Sequence, residues 1–324
     1  MASLKALAAA SAALAFALPQ SHAQEVVRLG NLKLAHFGAI SYMQTIAPQC
    51  GLKIDLRIFP KGLDVMQAII AGELDAGASA SEAAISARAN GVPIYVVAGF
   101  ANGGARLVVR PESGIKSVAD LKGKRVGVTR GSIQEILLAA ELAKAGLSFS
   151  DQPGKDVQIT YLNYPDLNQA LLTKNIDVMM QTEPQSSQAI NKGFGVELLK
   201  PYDTAIGSPI RTLVMTEKFY KERPQVAEKF MQCFVRATKA FIDDPKLASR
   251  FVREDLFKGQ ITEADFAAAI GNSPYSYDIT PQHIQVTADL MAQYGIGKFK
   301  QAPRATDFVK TDLLDTAKKA LKVQ

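Results

Sequence analysis

The chain has no tryptophan, two cysteines and three histidines in 324 residues. Two cysteines cannot build the multi-bridge framework of a small secreted scaffold. With no C-x-x-C, no H-E-x-x-H and no close His/Cys/carboxylate cluster, neither a dedicated metal site nor a cofactor is expected. A block of one charge is missing as well. The 37 Lys and Arg interleave with 31 Asp and Glu for a formal net charge of +6, so there is no nucleic-acid-binding stripe. The 15 prolines and 23 glycines are dispersed rather than gathered into a linker. What is present is a chain 48% hydrophobic and 21% charged, long enough for two compact units at roughly 150 residues each.

One apolar run stands apart, residues 6–18, preceded by Lys5 and followed by Pro19 and Ser21-His22-Ala23. It is shorter than the roughly 20 residues that cross a bilayer. Its layout is that of a secretory signal over residues 1–23, cleaved after Ala23, which directs the mature chain to the periplasm. That compartment is oxidising, so Cys50 and Cys233 either pair or stay free.

The chain repeats itself at an offset of 102 residues. Asp64-Val65-Met66-Gln67-Ala68-Ile69-Ile70 falls on Asp166-Leu167-Asn168-Gln169-Ala170-Leu171-Leu172, and Leu74-Asp75 falls on Ile176-Asp177. Two copies are too few for a solenoid and read as duplicated lobes. Each copy predicts a strand (56–59; 159–162), a helix capped by Asp64 or Asp166, a short strand (76–78; 178–180) and a second helix (81–89; 184–192). Strands separated by helices imply mostly parallel sheets, so each lobe is an open α/β unit. An earlier strand and helix open each lobe, 26–29 with 41–46 and 125–128 with 133–145. Residues 107–111 are read as the crossing to the second lobe and 204–213 as the return. The expected organisation is 24–109 and 208–324 in the first lobe and 110–207 in the second, with a hinge between them.

In open parallel sheets ligands sit beyond the carboxyl ends of the strands. The turns Ala35-His36-Phe37-Gly38 and Ser79-Ala80-Ser81-Glu82 from one lobe, and Thr129-Arg130-Gly131-Ser132 and Gln181-Thr182-Glu183-Pro184 from the other, would then face one cleft. Helix N-termini there favour anions.

The segment Gly72-Glu73-Leu74-Asp75-Ala76-Gly77, the stretch Asp120-Leu121-Lys122-Gly123-Lys124-Arg125-Val126-Gly127-Val128 and the Gly131-Ser132 helix start resemble the nitrate/sulfonate/taurine group of periplasmic substrate-binding proteins of ABC transporters. The resemblance implies a two-lobed Venus-flytrap fold, a small organic anion or zwitterion captured between the lobes, and delivery to a membrane permease by a monomer that is not an enzyme and binds no nucleic acid. A thiamine-precursor pyrimidine is the alternative ligand, and an enzyme on the same fold the rival class.

Within this frame Arg130 and Arg106 are candidate charge partners for the ligand. Each has a plainer reading, as a solvated arginine or as a hinge salt bridge. His36 and Phe37 would supply a donor and an aromatic face, although Phe37 equally suits the core. Gly38, Ser79, Ala80, Ser81, Gly131 and Ser132 would line the turns, with Asn102 beside Arg106, while Ser79 and Ser132 equally suit helix caps. Glu183 would repel an anion, so it would meet a ligand amine or ring N–H, or else pair with Arg130.

Overall fold

A computed structural model of the chain describes residues 24–299 and 301–323. The expected secretory signal at 1–23 lies outside the described residues. Eleven strands form two sheets. The first has the order β2 (Leu52–Phe59), β1 (Glu25–Leu32), β3 (Ala76–Ala80), β11 (Ile210–Thr216), β4 (Ile94–Asn102). The second has the order β10 (Val196–Leu199), β5 (Ala105–Val109), β9 (Val178–Thr182), β6 (Arg125–Val128), β8 (Val157–Tyr161), β7 (Phe149–Ser150). In each sheet one strand runs against the rest, β11 in the first and β5 in the second. These two strands lie beside the hinge.

The helices α1 (Gly38–Ile46), α2 (Gly62–Ile70) and α3 (Ser81–Ala89) belong to the first sheet, and α4 (Ile133–Lys144), α5 (Tyr164–Leu172) and α6 (Gln185–Asn191) to the second. Two of them depart from the sequence reading in their caps. Asp64 and Asp166 lie in the first turns of α2 and α5, and the capping positions are Lys61 and Asn163. The helices begin earlier because the Asp64 and Asp166 N–H groups already donate to the Lys61 and Asn163 carbonyls, at 3.1 and 3.0 Å. The buried stripe is duplicated as expected: Val65, Ala68 and Ile69 of α2 match Leu167, Ala170 and Leu171 of α5.

The repeat extends to a polar clasp. Arg28 at the start of β1 donates through Nε and Nη2 to Asp75, at 3.1 and 2.8 Å, and through Nη1 to the Gly72 carbonyl at 2.7 Å. Arg125 at the start of β6 makes the same contacts to Asp177, at 3.2 and 3.0 Å, and reaches the Lys174 carbonyl at 2.7 Å. Burial raises the Asp177 pKa, but the hydrogen bonds and charge of Arg125 prevail and bring it down to about 2.

The outbound crossing differs from the sequence reading. Residues 105–109, assigned there to the first lobe, pair antiparallel with β9 and β10 in the second sheet. The chain changes sheets at Gly103 and Gly104, whose φ angles of +74° and +79° disfavour any side chain, so the glycine pair and not the apolar run makes the turn. The return to β11 runs through residues 200–209.

The long helix α8 (Pro224–Asp243) follows α7 (Glu217–Glu222) and lays Val226, Phe230, Phe234 and Phe241 into the first-lobe core. Each such side chain contributes roughly 1.5–3 kcal/mol when fully buried. Cys233 on the same face is bonded to Cys50, with Cα atoms 5.6 Å apart. α9 (Pro245–Arg250) and α10 (Glu263–Asn272) come next, and α10 reaches across to α6 of the second lobe, where Asn191 donates to Asp265 at 2.8 Å.

The segment after α10 runs so close to β4 that a methyl group at Gly99 would sit 1.9 Å from the Asp278 carbonyl oxygen. Both atoms that would collide belong to backbone. Gly99→Ala is therefore expected to lower stability by about 3 kcal/mol or more, read as a lower urea midpoint with an unchanged slope.

Candidate functional site

The parallel strands of both sheets point their carboxyl ends at the seam between the lobes, and that is where buried polar groups gather. From the first lobe come His36, Ser81, Glu82 and Arg211; from the second come Thr129, Gln134, Tyr164 and Thr182. Several have polar atoms with no hydrogen-bond partner among the described residues: both ring nitrogens of His36, Ser81 Oγ, Glu82 Oε2, Thr129 Oγ1, Thr182 Oγ1 and Arg211 Nε. Unpaired polar atoms are costly in a protein interior, and such a concentration marks a place built for a ligand.

Arg211 is the centre of the cluster. It interrupts an otherwise apolar strand, is 2% exposed, and donates through Nη2 to the Gly103 and Gly104 carbonyls at 2.6 and 3.2 Å. Among the described residues no carboxylate lies within 4 Å of it, whereas Arg28, Arg106, Arg110 and Arg125 all have such a partner. Burial lowers its pKa, but a guanidinium stays charged. A buried cation with no carboxylate in contact among the described residues, and only Glu82 acting on it from farther off, is a candidate anion site.

The groups around it respond to that charge. Burial, reinforced by Arg211, pushes the His36 pKa well below its ordinary value, so the imidazole is neutral and offers one donor and one acceptor. Glu82, at the start of α3, is 5% exposed. Burial raises its pKa to about 7, against opposing pulls from Arg211 and from backbone N–H groups that include Ile133 at the start of α4. Tyr164 donates to Gln134 Oε1 at 2.8 Å, and Gln134 Nε2 donates to the Gly104 carbonyl at 3.3 Å, tying the second lobe to the hinge. Gln188 closes the same side by donating to the Gln260 carbonyl at 3.1 Å.

The residues singled out from the sequence divide into two sets. His36 and Ser81 bring unpartnered polar atoms to the cluster, whereas Asn102, at the end of β4, lines a separate pocket with Lys239, Pro274 and Asp278. Phe37 is buried edge-to-face against Phe100, with centroids 4.7 Å apart, and Gly38 is packed beneath Val252 and Tyr275, so both serve the core. Ser79 donates to the Ala80 carbonyl, Ser132 caps α4, and the Gly131 N–H is taken by Glu135.

The two arginine candidates lie elsewhere. Arg130 is 63% exposed, pairs with Asp151 and stacks 3.6 Å above the Tyr161 ring. It lines an open cavity between Lys61, Leu63 and Ser86 of the first lobe and Glu135 and Tyr161 of the second, whose lining includes neither Arg211 nor His36, and its charge is already taken by Asp151. Arg106 faces inward but is already neutralised, by Glu183 and Glu197 at 2.7 Å each, and also donates to the Ala268 carbonyl. Glu183 does not pair with Arg130. Arg106, Asn272 Nδ2 and Ser187 Oγ satisfy it, because β5 and β9 are neighbours in one sheet.

The family signature described as NMT1/THI5-like matches residues 49–248, which takes in the second lobe and part of the first. The chain belongs to this family. A protein of Escherichia coli K12 named for binding aliphatic sulfonates is 32% identical over 204 residues, covering 62% of this chain and 59% of the relative, so the match spans about three fifths of that protein's length. The taurine-binding periplasmic protein of the same organism is 26% identical over 253 residues, 76% of this chain and 75% of the relative. Among solved structures, the alkanesulfonate-binding protein from Xanthomonas axonopodis bound to MOPS superposes with a TM-score of 0.74 at 20% identity, over 89% of this chain and 100% of that one. At that identity the likeness shows the fold: two α/β lobes about a hinge, as in periplasmic binding proteins.

Arg211, Glu82, Gln134 and Tyr164 are not among the site residues expected from the sequence, and the fold brings them to the cluster. Glu82 closes the turn Ser79-Ala80-Ser81-Glu82, and Arg211 is visible as one charge inside the apolar run Ile210–Thr216. No helix among the described residues is long and apolar enough to cross a membrane.

Proposed function

We propose that this protein is the extracytoplasmic solute-binding component of an ABC importer, taking a small organic anion or zwitterion between its lobes and passing it to a membrane permease. The observation that carries this reading is Arg211, a buried guanidinium with no carboxylate within 4 Å among the described residues, set where turns from both lobes converge. Its natural partner is a sulfonate or carboxylate that accepts from Nε and from the hydroxyls of Ser81, Thr129 and Thr182. The relatives named for sulfonates and taurine support the same ligand class. The pyrimidine alternative requires Glu183 to face the ligand, and Glu183 is held by Arg106 instead.

The test is a thermal-shift screen of the mature chain against alkanesulfonates, taurine, nitrate, benzoate and an aminopyrimidine. A ligand that binds only the folded state stabilises it by about 2.7 kcal/mol at 100 times its Kd. Stabilisation by the sulfonates or carboxylates is expected, with a smaller radius of gyration in small-angle scattering as the lobes close. A response to the pyrimidine alone, or conversion of the ligand to a product, would refute the proposal.

A further inference from the structure

The seam contains a second charged group that an anion must contend with. Glu82 lies in the first lobe at the start of α3, 5% exposed, with Oε2 unpartnered among the described residues. The charge acting on it most is Arg211 from β11, the same cation that awaits the ligand. From the second lobe it meets the Ile133 N–H at the start of α4, and Tyr164 of α5 is the other titratable group coupled to it. His36 feels the same charge. A ligand anion and an ionised Glu82 thus compete for one guanidinium in one buried space. Two anions against one cation in a low-dielectric site is an arrangement that protein interiors avoid by taking up a proton.

We infer that Glu82 is the residue that makes capture proton-linked: a monoanion is bound together with one proton from solvent, which goes to the free Oε2 of Glu82, so that the neutral carboxylic acid donates to the ligand where the carboxylate would repel it. This rests on the reading of Arg211 as the anion's partner. The chemistry balances without any other reactant, since one O–H bond forms on Glu82, the anion enters unchanged, and the seam gains no net charge. It also sorts ligands. A zwitterion that brings its own ammonium group to Oε2 needs no proton from solvent and displaces any already there. The sign of the proton linkage therefore reports which class of ligand the cleft holds. Because the ligand-free carboxyl already titrates near neutrality, the linkage operates at ordinary pH.

Calorimetry of the mature chain with ethanesulfonate, in buffers of different ionisation enthalpy, counts the protons directly. At about pH 7.5 between half and one proton should be taken up per anion bound, and the Kd should rise up to tenfold per pH unit above about pH 8. Glu82→Gln keeps a donor at the same place but cannot titrate. Its proton uptake should be near zero, its Kd level from about pH 6 to 8.5, and its affinity at the upper end of that range about tenfold above wild type. Uptake near zero in the wild type, or uptake that persists in Glu82→Gln, overturns the inference and leaves the anion site standing. If ethanesulfonate does not bind, or binds equally to a variant lacking Arg211, the anion site falls and the inference with it. The wild-type proton count needs no variant, so a poorly folded Glu82→Gln does not obscure the result.

Discussion

Arg211→Gln is expected to weaken anion binding by roughly 100-fold or more while the ligand-free protein melts at or above the wild-type temperature. Removing one partner of a buried charge pair costs roughly 3–5 kcal/mol, and here the ligand supplies the other partner. Without ligand the guanidinium is a buried charge whose hydrogen bonds among the described residues go to two backbone carbonyls, of Gly103 and Gly104, with Glu82 acting on it only at longer range, and a glutamine amide can still donate to one of them. Affinity and stability should thus move independently. Arg130→Ala is the contrast: that side chain is exposed and paired with Asp151, so affinity should stay within about twofold. Titration calorimetry with the strongest stabilising anion, paired with thermal melts, reads both quantities. Affinity within about threefold of wild type for Arg211→Gln, with the variant folded, would place the anion site elsewhere.

The second large effect concerns stability. The Cys50–Cys233 bond closes a loop with a sequence separation of 183, joining the segment after α1 to the buried face of α8. A cross-link over that span restricts the unfolded chain by about 5 kcal/mol on the loop-entropy scale. For a chain of this size that corresponds to about 5–10 °C in melting temperature. The Cys50→Ala/Cys233→Ala variant, and wild type treated with a reductant, should both show that loss. Both cysteines lie within the first lobe and away from the seam, so ligand affinity should change by less than about twofold. A melting shift under about 2 °C would mean that the bond does not persist in the folded protein.

The features legible in the sequence alone are those carried by local order. The offset of 102 residues marks α2 and α5 as copies because Val65, Ala68 and Ile69 share a helical stripe with Leu167, Ala170 and Leu171. The strand and helix at 125–128 and 81–89 follow from periodicity and need no partner to be recognised. The cleft turns follow too, since a parallel sheet leaves its carboxyl ends open. Which charges the cleft keeps is another matter. Arg106 and Arg211 are both lone cations in apolar strands, and nothing local to either separates them. Pairing of β5 with β9 places Glu183 against Arg106 and neutralises it, whereas β11, between β3 and β4, carries Arg211 into a neighbourhood with no carboxylate in reach among the described residues. Arg130, in the most suggestive turn of all, is exposed and already paired with Asp151 over the Tyr161 ring. Patterns spaced by two or three to four residues decide which face of an element is buried. Whether a buried charge finds its counter-ion depends on strands that meet only when the chain crosses between sheets, and that choice belongs to the tertiary structure alone.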